Sequence, residues 1–206
     1  MNLVEVEPVT FNDLSSPAAL LASRRSCSPR NLVEPGPDEA QLRRILSSAI
    51  RTPDHGKLAP WRFVIVAPCQ RDALAALLNR AYCETKADPG RLELKAIDDF
   101  ARQAPMLVVA LSRPNRQSHI PVWEQELSAG AACMNLLAAA HAEGFAGGWV
   151  TGWAAYSDTV RAAFAPDGRI AGFIFLGSPG VPLEERLRAD YDEVISHWAH
   201  REPARN

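Results

Sequence analysis

The chain reads as an α+β protein, with several helices packed around a sheet of about four strands. Three observations carry that reading. Short apolar runs of strand length recur as WRFVIVA, PMLVVALS and RIAGFIFLG. Between them lie segments whose apolar residues repeat at helical spacing, as Leu42, Ile45, Leu46, Ala49 and Ile50 do. One stretch, Leu127 to Ala140, is apolar nearly all round and rich in small residues. A helix apolar on every side must be covered on every side, which points to the centre of a dimer.

Element by element, residues 1–15 read as an irregular extension and 16–206 as one domain. A first helix is predicted from Pro17 to about Arg25, with Ser16 as N-cap and Pro17 at the tolerated first position. The second opens at Gly36-Pro37-Asp38-Glu39, with acids in its first turn, and stops before Thr52-Pro53, because proline disfavours helix just upstream. Trp61–Ala67 is a strand, 70–83 and 90–103 are helices, and Pro105–Ser112 is a buried central strand. A long helix then runs from Pro121 to about Ala142 and ends at Gly144. Strands at 147–151 and 169–177 flank a helix near 157–165 capped by Ser157. A Pro- and charge-rich arm, 178–190, leads to a last helix ending near Trp198.

Composition narrows the functional classes. The chain has 206 residues, 47% hydrophobic and 22% charged, with a net charge of -2. That is ordinary globular composition, with no basic stripe of the kind nucleic acid needs. No apolar stretch reaches the ~20 residues that span a bilayer, and the acidic start MNLVEVEP is unlike a signal peptide. A cytoplasmic protein without membrane or nucleic-acid partners is expected. Cys27, Cys69, Cys83 and Cys133 form no C-x-x-C pair and have no histidine at ligand spacing, so no metal site is expected. Cys133 reads as a small buried side chain, and His141, His197 and His200 as surface or satisfied histidines.

Three polar clusters sit beside rigid elements. Arg24-Arg25-Ser26 follows a helix and offers donors suited to a phosphate, though two solvated arginines closing a helix would look the same. Arg51-Thr52-Pro53-Asp54-His55-Gly56-Lys57 places four ionisable residues in seven positions before a strand, stiffened by proline. A capped turn with solvated charges is the plainer alternative. Gly147-Gly148-Trp149-Val150-Thr151-Gly152-Trp153 combines glycines that permit close approach of a ligand with flat indole faces. Core tryptophans at a glycine-rich strand end would also satisfy it.

Taken together, Arg-Arg-Ser, R-T-P-D-H-G-K-L-A-P-W-R-F-V-I-V, I-P-V-W-E-Q-E-L-S-A-G-A-A, G-G-W-V-T-G-W and R-I-A-G-F-I-F-L-G-S-P closely resemble the nitroreductase family. Within it, the match is to the compact NAD(P)H nitroreductases marked by an R-x-P-D-H segment. The resemblance runs in order from about Arg24 to Gly177. It implies a three-layer fold with a mostly antiparallel sheet, an intertwined homodimer, and an FMN held where the two subunits meet.

Carried over residue by residue, Arg24, Arg25 and Ser26 match phosphate- and ring-contacting positions, and Arg51 and His55 should also touch the flavin. Trp149, Val150 and Thr151 match the strand that backs the ring from the partner chain. Arg186 falls where the family often has a basic residue near the phosphate. Trp123, Glu124 and Gln125 match the opening of the interface helix on the substrate side. Relatives often carry arginine where this chain has Val150 and lysine where it has Ile120, a loss of cations that would stabilise anionic reduced flavin less.

The implied chemistry is ping-pong hydride transfer through flavin N5. NADH or NADPH is the donor, and a nitroaromatic, quinone or similar electron-poor small molecule is the acceptor. The cofactor carries the chemistry, so no catalytic protein residue is expected. The same scaffold would also suit dehydrogenation, dehalogenation or flavin breakdown, a non-catalytic FMN-binding dimer, or a dimer that has lost flavin.

Overall fold

A computed structural model describes residues 10–198. The expectations for residues 1–9 and for His200 fall outside the described residues.

Helix α1 spans Pro17–Ser23, and the Ser16 hydroxyl accepts from the Ala19 amide at 3.0 Å. It ends short of the predicted Arg25, for a visible reason. The segment before it folds back: the Asn12 amide donates to the Ser23 carbonyl, and the Arg25 amide donates to the Asn12 side chain. Those bonds draw residues 24–27 out of the helix into an extended run. Strand β1, Leu32–Val33, was not anticipated, because two residues carry no alternation to read. Helix α2, Glu39–Ala49, starts at a capping box of Asp38 and Gln41.

Strand β2 is Trp61–Val66, and two helices follow, α3 at Arg71–Thr85 and α4 at Arg91–Arg102. Strand β3 (Met106–Ser112), helix α5 (Val122–Ala142) and strand β4 (Ala146–Val150) come next. A single turn, α6 (Trp153–Tyr156), precedes α7 (Asp158–Phe164), which Ser157 caps. Strand β5 runs from Arg169 to Pro179. The predicted last helix is reduced to one turn, α8 at Tyr191–Val194, and Ile195–Trp198 is not helical. Too few of its side chains find anything to pack on in one chain, and short helices need such packing.

Every strand pairing is antiparallel, in the order β1-β5-β3-β2, with β4 also on β5. Strand β5 is the hub. One edge carries β3, while the other carries β4 and then β1. Helices lie on both faces. Leu74, Leu78, Ile97 and Ala101 from α3 and α4 pack with Phe173 and Phe175 on one side. Ile45, Cys133, Leu136 and Leu137 from α2 and α5 pack with Ile174 and Leu176 on the other. This is the three-layer α+β arrangement expected.

Candidate functional site

The extended run after α1 is laid against β4. The Cys27 amide donates to the Gly147 carbonyl at 3.0 Å, and a Cβ at Gly148 would sit 2.6 Å from the Cys27 carbonyl oxygen. A Cβ at Gly147 would meet Leu137 and Leu176 at 2.8 Å. The two glycines therefore admit the protein's own neighbouring segments rather than a ligand, which corrects the role read from sequence.

What they position is a cationic pocket. Arg25 is buried, with its Nε donating to the Glu184 carbonyl, and Arg24 Nη1 donates to Ser26 Oγ at 3.1 Å. Arg25, Ser26, Asn31, Glu184, Glu185 and Arg186 are among the residues lining a cavity of about 360 Å³. Burial first, and then Arg186 and Arg188, loosen the hold of Arg25 on its proton; only Glu185, 3.8 Å away, opposes them. A buried guanidinium crowded by like charge is stabilised by an anion placed beside it.

The Arg51–Lys57 loop is fastened to α5. Thr52 accepts from Asn135 at 2.7 Å, Ser128 donates to the Pro53 carbonyl at 2.6 Å, and His55 Nδ1 meets Glu124 Oε2 at 2.8 Å. Asp54 accepts from the Ala59 amide at 2.6 Å. Gly56, Lys57 and Ala59 have φ of 78°, 56° and 46°. Two side-chain-bearing residues in the left-handed region cost on the order of 1 kcal/mol each, so the loop's shape is held by these bonds against strain. Ile120 is buried against Gly56, which is why an apolar residue suits that position. Arg51 itself is exposed.

At the far end of β4, Trp149 is 38% exposed, and its indole N–H donates to the Ala171 carbonyl at 3.0 Å. The ring occupies the space a side chain at Gly172 would fill, and its edge reaches Gly130 of α5. Val150 packs against the α3–α4 side, and Thr151 lines an apolar cavity with Tyr82, Phe100 and Trp153. Trp123 is exposed at the head of α5 beside Glu124. Gln125 behaves differently from its substrate-side expectation. It is buried, and its amide hydrogens go to the Asn115 and Ile120 carbonyls while its oxygen accepts from the Asn115 amide. Its work is to clamp the loop between β3 and α5.

The fold thus gathers Arg24, Arg25, Ser26 and Arg186 at one place, and Arg51, His55, Trp123 and Glu124 at another. No hydrogen bond or ion pair joins the two sets among the described residues. Sequence reasoning also missed His141. It is fully buried, neither ring nitrogen has a partner among the described residues, and burial together with Arg24 pushes its pKa down to about 4. It is therefore neither a surface nor a satisfied histidine, and nothing in its local helical pattern would have revealed that. Cys133 is buried as expected, and burial pushes its thiol up to about 12.

The "Putative NAD(P)H nitroreductase YdjA" of Escherichia coli K12 is 36% identical over 165 residues, 78% of this chain and 86% of that one. The crystal structure of a nitroreductase-like family protein from Bacillus cereus superposes with a TM-score of 0.77 at 20% identity, covering 88% of this chain and 95% of the other. A nitroreductase from Desulfovibrio desulfuricans, solved in complex with FMN, gives 0.68 at 20% identity, covering 90% and 98%. The Nitroreductase family model matches residues 21–178, a span that holds the Arg-Arg-Ser run, the strained loop, helix α5 and the tryptophan-bearing strand, and the chain belongs to the nitroreductase family.

Proposed function

We propose that this chain is an FMN-dependent NAD(P)H oxidoreductase. In this reading it is a cytoplasmic homodimer that reduces nitroaromatic, quinone or similar electron-poor acceptors by a ping-pong route. The observation that carries it is the cationic pocket around buried Arg25 at one end of β4, with the Trp149 indole at the other. An anion site and a flat apolar wall borne by the same strand suit a flavin mononucleotide, and the donor set suits its phosphate.

Arg24, Arg25, Ser26 and Arg186 would hold the phosphate end. Trp149, Val150 and Thr151 would back the ring. This departs from the resemblance, which has the Trp149 strand come from the partner chain: here one chain would give both the Arg25 pocket and that strand. Arg51 and His55, which share no hydrogen bond with them among the described residues, would serve the site of a second copy, as would Trp123 and Glu124 on the substrate side. When bound, FMN supplies two-electron chemistry that no side chain offers. The residues bind and orient: Trp149 presents an apolar face that excludes water, and the His55–Glu124 pair holds a proton beside the open end of α5. Donor and acceptor would occupy the same position in turn.

A second copy is supported by two surfaces. Along α5, Trp123 is 68% and Leu127 53% exposed, and Ala131 continues the same stripe. Leu187, Tyr191 and Val194 of the C-terminal arm are also exposed.

The test is anaerobic titration of the purified protein with NADH and NADPH, followed by a panel of acceptors. Yellow protein that bleaches with a nicotinamide and recovers with a nitroarene or quinone is expected. Yellow protein that never bleaches would identify an FMN-binding dimer without turnover, a reading that Val150 in place of a cation favours. Recovery only with another acceptor class would assign dehydrogenation, dehalogenation or flavin breakdown. Protein that stays colourless with added FMN would refute the proposal.

A further inference from the structure

A second basic cluster stands where β3 ends and β5 begins. Arg116, Arg161, Asp167 and Arg169 line an open cavity of about 320 Å³, with Arg113 beside it. The nearby carboxylates are already engaged. Asp158 pairs with Arg161 at 3.0 Å, and Asp167 pairs with Arg113 at 3.5 Å. Arg116 and Arg169 have no ion-pair partner among the described residues.

The surroundings are rigid. Arg161 Nη1 donates to the Pro166 carbonyl at 3.0 Å, and a Cβ on Gly168 would lie 2.3 Å from the Ser112 carbonyl oxygen. The loop bearing Arg116 is the one that buried Gln125 clamps through Asn115 and Ile120. Two exposed guanidiniums without carboxylate partners among the described residues, carried on braced backbone, are free to converge on an anion.

Its location says which anion. The Trp149 indole donates to Ala171, and Arg169 lies two residues earlier on the same strand, ~7 Å away at ~3.3 Å per residue. The cluster therefore sits just beyond the ring end of the proposed site and away from the Arg25 pocket. We propose that Arg116 and Arg169 take the phosphate groups of the nicotinamide dinucleotide donor while its nicotinamide is at the Trp149 end. This inference rests on the oxidoreductase reading above. Arginine's planar fork matches phosphate oxygens, and each such contact is worth roughly tenfold in affinity.

The experiment uses holoprotein carrying Arg116→Ala, Arg169→Ala or both. Calorimetry measures binding of NADP+, NAD+ and phosphate-free nicotinamide riboside. Anaerobic flavin reduction is followed with NADPH, NADH and phosphate-free benzyl-dihydronicotinamide. Dinucleotide Kd and KM are expected to rise roughly tenfold per arginine, with steeper weakening by salt in the parent, while the phosphate-free compounds and the FMN content are unaffected. A loss confined to NADPH would assign the extra ribose phosphate, and a loss shared with NADH the pyrophosphate; either supports the proposal. Unchanged dinucleotide constants, or an equal loss with the phosphate-free donor, would overturn it. Wild-type flavin reduced by the phosphate-free donor but by neither dinucleotide would sink this inference alone, whereas flavin reduced by none of the three would sink the oxidoreductase reading itself.

Discussion

Helices α4 and α5 each present a leucine to solvent, yet the two leucines mean different things. Leu92 of α4 is 77% exposed and stands among Arg91, Glu93, Lys95 and Asp99, three of them engaged in exposed ion pairs or hydrogen bonds. Leu127 of α5 is 53% exposed, but its neighbours on that face are Trp123, Gly130, Ala131 and Met134. A lone exposed leucine is normal on a protein surface; a stripe of apolar and small residues one helix long is not. The contrast teaches that exposure must be read with its neighbours. By that standard α4 is finished within the chain, and α5 carries the face on which the proposed dimer would close.

The sharpest way to break this comparison is Leu127→Glu. In a symmetric dimer the change occurs twice, and burying two unpaired carboxylates should raise the dissociation constant roughly a thousandfold. Sedimentation should then show single chains; a Leu127→Glu protein that still sediments as a pair would detach the stripe from assembly.

Next in size is the buried end of the same helix. His141 holds a pKa of about 4 against an ordinary 6.5, so the unfolded chain binds its proton more readily between those values. Its contribution to stability is complete above the ordinary value and is lost as pH falls toward about 4, by up to about 3 kcal/mol. Urea denaturation of wild type and His141→Leu at about pH 7 and about pH 4.5 should show the acid loss only in wild type. An identical loss in both proteins would mean that another group is responsible.

Gly172→Ala probes the bridge between α5 and the sheet. The added Cβ would lie 2.1 Å from the Trp149 indole nitrogen, and the expected cost is about 2 kcal/mol with a shifted tryptophan emission. Unaltered stability and emission would show that the indole moves aside freely. The smallest effect belongs to Leu92→Glu on α4, within about 0.5 kcal/mol by urea denaturation and with no change in sedimentation.

Much of the fold was legible because its signals are local. Ser16, Asp38 and Ser157 mark helix starts by a hydrogen bond three residues long, and β3 is a run of consecutive apolar residues. What stayed hidden depends on distant partners. Arg71 at the start of α3 is buried and donates to the carbonyls of Val66 and Ala101, which no local pattern announces. The early end of α1 depends on Asn12, Gln125 was misread because its loop partners cannot be seen in a three-residue motif, and the burial of His141 is a property of packing alone. The candidate site was legible only as residue types in order. That Arg25 would be buried and Arg51 exposed required the fold.

The central place of β5 has a consequence for how the chain is born. Its partners, β1, β3 and β4, are all translated earlier, and the β1 pairing spans most of the sequence, Leu32 to Pro179. Until β5 leaves the ribosome, β3 can pair only with β2, and its other apolar edge stays open. Native sheet closure thus waits on a strand that follows all of its partners, which leaves the nascent chain open to misassociation until β5 has emerged.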